Sequence, residues 1–81
     1  MNAKINAIEV GRRIRSLRKN NLHIQQIDFA KQIGLSQAGL CRVEHGKIPK
    51  AIILQRIATL GKVSIEWILT GVEFCLNSEK E

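Results

Sequence analysis

Apolar residues return every third or fourth position along this chain, in five short stretches separated by polar or glycine-containing breaks. That period belongs to helices that bury one face. Val10, Ile14 and Leu17, with Ile8 near the start, predict a first helix over about 6–19. Asn20, which tolerates a left-handed backbone, is expected to end it, and the polar break Asn20-Asn21-Leu22-His23 follows. Ile24 anchors a second helix over 26–33, where Phe29, Ala30 and Ile33 share a face, and Leu40 and Val43 mark a third over 37–44. Beyond Gly46 and Pro49, either Ile52 or Ile53 joins Leu54, Ile57 and Leu60 in a fourth helix over 51–60, which Gly61-Lys62 ends. A fifth, over 64–70, starts at the capping residue Ser64 and stops at Gly71. The expected fold class is therefore all-α: a compact five-helix domain over 1–71, with 72–81 as a short C-terminal extension that either meets a second chain or frays.

The join between the second and third helices carries the most information. Gly34 stands where a chain leaving a helix favours a left-handed residue, and Ser36 stands where the next helix needs an N-cap oxygen. So short a link is the length of a helix-turn-helix connection. Ala30 is small at the point where the second of two steeply crossed helices would pass over the first. An ordinary helical hairpin would show the same apolar pattern, so the pattern alone does not decide. Gly11 inside the first helix costs about 1 kcal/mol relative to alanine and implies close approach of a neighbouring backbone.

Charge adds to this picture. The chain of 81 residues carries a net +6, and through Lys50 ten basic residues face three acids. The positive field thus belongs to the half that holds the helix-turn-helix, and a polyanion is its natural partner. No run is long enough to span a membrane, and the first residues lack a signal peptide's apolar core, so a cytoplasmic location is expected. Cys41 and Cys75, with only His23 and His45 for company, make too few ligands for a metal site and are expected as free thiols. His23 reads as a solvated loop residue. No nucleophile with an activating base, no phosphate-cradling glycine loop and no paired carboxylates are found, so neither an enzyme nor a cofactor is expected.

The spacing of Ala30, Gly34, Leu40 and Val43 resembles the helix-turn-helix of the lambda-repressor and Cro-like (Xre) family. Three other stretches resemble it too: Ile8 to Arg18, the Glu44-His45-Gly46-Lys47 signature, and Val63-Ser64-Ile65-Glu66-Trp67-Ile68-Leu69-Thr70-Gly71. The resemblance implies a lambda-repressor-like domain whose third helix lies in the DNA major groove. It implies an Arg18–Glu44 ion pair, Trp67 in the core, and one residue more than the usual spacing between Arg18 and Gln26. Gln26 matches the family's glutamine at the start of the second helix, where its amide can reach a phosphate, with a capping role for Gln25 or Gln26 as the alternative.

On the third helix Gln37 and Arg42 are the expected polar readers of bases, and Ala38 an expected contact to a thymine methyl. For Arg42 the alternative is a helix-end cation favoured by the macrodipole. Ser36, Lys47 and Lys50, with Gln26, would position the domain on the phosphate backbone. Gly39 departs from the family's serine or threonine and puts one hydrogen bond in doubt. The function implied is a sequence-specific regulator, repressor or autoregulator, acting as a homodimer on a palindromic operator in double-stranded DNA. The alternative is an antitoxin that binds a toxin partner through its terminal extension and autoregulates its operon.

Overall fold

The Asn6 carboxamide oxygen accepts hydrogen bonds from the N–H groups of Ile8 (3.0 Å) and Glu9 (3.1 Å), and the first helix begins there. In the computed structural model, which describes residues 5–72, α1 (Ala7–Ser16) runs into a π-helical turn, Leu17–Asn21. It is followed by α2 (Gln26–Ile33), α3 (Gln37–Glu44), α4 (Ala51–Gly61) and α5 (Ile65–Thr70), with no strand among the described residues. None of these helices is long and apolar enough to cross a membrane. Of the extension read as 72–81, only Val72 falls within the described residues.

The single helix expected over 6–19 is thus an α-helix continued by a wider turn. The Leu22 N–H donates to the Leu17 carbonyl at 2.9 Å, five residues back, so this turn winds in one residue more than an α-helical turn holds. Asn20 does not terminate the helix, because it lies inside this turn and its Nδ2 donates to Ser16 Oγ at 3.2 Å. The left-handed residue is His23, exposed at φ 55°. Leu22 can then fold back onto the core, and Ile24 with it.

Every element contributes to one buried cluster. Val10, Ile14 and Leu17 meet Phe29, Ile33 and Leu40 there, and Ile57 and Ile68 close it from the other side. Each such side chain contributes about 1.5–3 kcal/mol by leaving water. On α4 it is Ile53 that is buried, whereas Ile52 is 49% exposed. Ile8 is 56% exposed and so stands outside the inward stripe of α1. Trp67 is half-buried against the cluster.

Two contacts in the middle of α1 fix it against its neighbours. A Cβ added at Gly11 would lie 2.6 Å from the Val43 carbonyl oxygen and 2.7 Å from that of Glu44. Here the close approach inferred from the sequence is backbone on backbone, α1 against the end of α3. Two residues on, and so on the opposite face of α1, the Arg13 guanidinium donates to the Ile68 and Leu69 carbonyls (2.8 and 3.0 Å), satisfying groups that the short helix α5 leaves unpaired.

Gly11→Ala should therefore lower unfolding stability by about 1–3 kcal/mol in a urea titration, although alanine is the better helix former. On α4 the register predicts an asymmetry: Ile53→Ala should cost about 2–5 kcal/mol, and Ile52→Ala within about 0.5 kcal/mol of nothing.

Candidate nucleic-acid interface

Gly34 closes α2 in the left-handed conformation, φ 85°, and the Leu35 N–H returns to the Ala30 carbonyl at 2.9 Å. Arg56 of α4 donates Nη1 to the Ile33 carbonyl at 3.2 Å. A Cβ at position 34 would meet only the flexible end of the Arg56 side chain, so it is the positive φ that calls for glycine here. Ser36 then accepts from the Gly39 N–H at 3.0 Å and starts α3. Gly39 faces inward over this cap, where an added Cβ would sit 3.3 Å from Ser36 Oγ.

Leu40 and Val43 are buried, so α3 is held by one side. Gln37, Ala38 and Arg42 are exposed on the other, and nothing among the described residues walls them in. Cys41 is half-buried and free, its Sγ 3.6 Å from His45 Nδ1, which in turn lies 2.8 Å from the Cys41 carbonyl oxygen. Beyond α3, Lys47 and Lys50 are both exposed, Lys50 at the N-cap position of α4.

Behind the exposed face lies a chain of hydrogen bonds that starts in the core. Arg18, in the π-turn, donates Nε to Glu44 Oε2 at 2.7 Å and Nη2 to Oε1 at 3.2 Å, and both residues are buried. Its Nη1 donates to the Ile24 carbonyl at 3.0 Å, which ties the loop before α2 to the same group. Gln26 Nε2 donates to Glu44 Oε1 at 3.1 Å, and Gln37 Nε2 donates to Gln26 Oε1 at 3.3 Å. One relay therefore runs from the guanidinium through the carboxylate and two amides to the first residue of α3.

Neither Gln25 nor Gln26 caps α2: Gln25 holds the N-cap position without a side-chain hydrogen bond, and the Gln26 amide is committed to Glu44. The sequence reading had Gln26 and Gln37 as separate contacts. Their coupling was missed, and its only trace in the sequence is a glutamine at the start of each of two crossing helices. Arg56, which braces the turn from α4, left no signal beyond a charge.

The helix-turn-helix family model matches residues 14–68, most of the chain. The chain is a lambda-repressor-like helix-turn-helix protein. Its fold is similar to that of the P22 c2 repressor in complex with a synthetic operator, with TM-score 0.72 and 28% identity over 78% of this chain and 96% of that one. The solution structure of the P22 c2 DNA-binding domain matches over 99% of this chain and 100% of the other, with TM-score 0.70 and 26% identity. The restriction-modification controller protein C.AhdI from Aeromonas hydrophila shares the fold at TM-score 0.68 and 22% identity, over 78% and 96% of the two chains. In this lambda-repressor-like domain the relay behind α3 and the exposed face in front of it make one structural unit.

Removing the carboxylate should leave the Arg18 guanidinium buried and unpaired. Glu44→Ala is expected to cost about 3–5 kcal/mol in urea unfolding, whereas Gln26→Ala, which leaves the ion pair intact, should cost about 0.5–1.5 kcal/mol.

Proposed function

We propose that this DNA-binding transcription regulator reads a specific sequence in double-stranded DNA, as a homodimer on a palindromic operator, and acts as a repressor or autoregulator. The observation that carries the reading is the relay ending at Gln37. An exposed glutamine normally samples many rotamers, and here its Nε2 is engaged by Gln26, which is itself held by the buried Glu44. An amide held in this way loses less freedom on meeting a base, and it offers adenine the donor and acceptor that N7 and N6 require.

The remaining roles follow from position. Arg42, exposed on the same helix, suits the O6 and N7 acceptors of guanine, and Ala38 suits a thymine methyl. Gln26, at the first turn of α2, and Ser36, at that of α3, sit where free backbone N–H groups attract phosphate, and Lys47 and Lys50 supply charge beside them. A domain of this size makes few base contacts. Pairing two copies about 34 Å apart, one helical turn, doubles them and imposes a palindrome. Similarity to a repressor bound to a synthetic operator supports the same mode of action.

Selection of bound duplexes from a random pool tests the reading directly. The expected product is one site with two-fold symmetry; a pool without enrichment, together with affinity that ignores salt, would overturn it. On the recovered site, Arg42→Ala should cost about 1–3 kcal/mol and relax preference at one base pair per half-site. Lys47→Ala should weaken all duplexes alike and reduce the salt slope by about one. Uniform loss in both variants would mean that Arg42 does not read bases.

A further inference from the structure

The helix-turn-helix and the start of α4 enclose a groove of about 370 Å³ on which none of the base-reading side chains borders. Its floor is apolar, made by Leu35, Val43 and Ile53, and the lip adds Ile48 and Ile52, which are 40% and 49% exposed. Lys47, Lys50 and Arg56 line it as well, and no acidic residue among the described residues does. An occupant that suits such a groove has large apolar side chains next to carboxylates.

The chain carries one stretch of that chemistry. Residues 73–81, outside the described residues, read Glu-Phe-Cys-Leu-Asn-Ser-Glu-Lys-Glu: two large apolar side chains, Phe74 and Leu76, flanked by Glu73, Glu79 and Glu81 against a single Lys80. It follows Gly71, which lies against the Arg13 guanidinium of α1. Extended, residues 73–81 span at most about 30 Å, more than either shorter dimension of the molecule, 25 and 22 Å.

We propose that residues 73–81 dock in this groove of their own chain, Phe74 and Leu76 on the apolar floor and the glutamates against Lys47, Lys50 and Arg56. Attachment through Val72 makes the contact intramolecular, at an effective concentration near the millimolar range, so a weak site is filled. The consequence for DNA rests on the phosphate-contact reading of Lys47 and Lys50: docked carboxylates and the DNA backbone compete for the same cations. A segment docked between two-thirds and nine-tenths of the time lowers apparent DNA affinity about three- to tenfold.

Amide spectra of the full-length protein without DNA test the docking separately from that consequence. In Phe74→Ser/Leu76→Ser the amides of Gly34, Gly39, Ile48 and Ile52 should shift, by the same amount at protein concentrations tenfold apart. Ile52→Ser in an otherwise native chain should move the amides of Phe74 and Leu76. Unchanged groove amides in the tail variant would overturn the proposal, as would shifts that depend on concentration, which would assign the groove to the tail of a second copy. The same tail variant should bind duplex DNA about three- to tenfold more tightly at low salt, with a steeper salt slope. Groove shifts accompanied by unchanged DNA affinity would support docking and overturn the phosphate role of Lys47 and Lys50.

Discussion

Buried at the junction of the π-turn and α3, the Arg18 guanidinium and the Glu44 carboxylate have, among the described residues, each other, the Ile24 carbonyl and the Gln26 amide to replace water. An ion pair in such a place contributes little net stability, because desolvation consumes most of the attraction. Its leverage is positional. Glu44 is the last residue of α3, where a negative charge opposes the helix dipole, and the guanidinium offsets it there. One group thereby fixes the end of the exposed helix, the loop before α2 and, through two glutamines, the beginning of that helix. Hydrophobic replacements of matching volume could preserve the fold while leaving Gln26 and Gln37 without a reference point.

What the residues disclosed in advance follows from which forces are local. Helix positions were legible because burial repeats with the helical period, and the turn was legible because Gly34 and Ser36 have conformational and capping preferences of their own. The α3 face was legible as a remainder: once Leu40 and Val43 turn inward, Gln37, Ala38 and Arg42 are left outside. The choice between Ile52 and Ile53 was not, since adjacent isoleucines fit the same stripe until tertiary packing selects one. Ile8 stands two residues from Val10 and six from Ile14, off the helical period of that stripe, and it lies beside Gly46 instead. The partners of Gln26 and Arg56 depend on how helices cross, which no local rule encodes.

Gly39 shows how a departure from a familiar pattern can be compensated. A glycine weakens a helix interior, but here its N–H is the donor that Ser36 caps and its missing side chain keeps Leu35 and Ser36 close over the first turn. The position thus has a structural use.

The wide turn at Leu17–Asn21 has a meaning for how such a chain can change length. The turn opens with Leu17 and Arg18, both buried, so the residue that it winds in falls after them and ahead of the loop. Loss of one residue near Asn20 would let the helix relax to ordinary pitch without displacing the core. The turn is a splice point in the fold, where one residue can be added or removed while the guanidinium and its carboxylate stay within reach of each other.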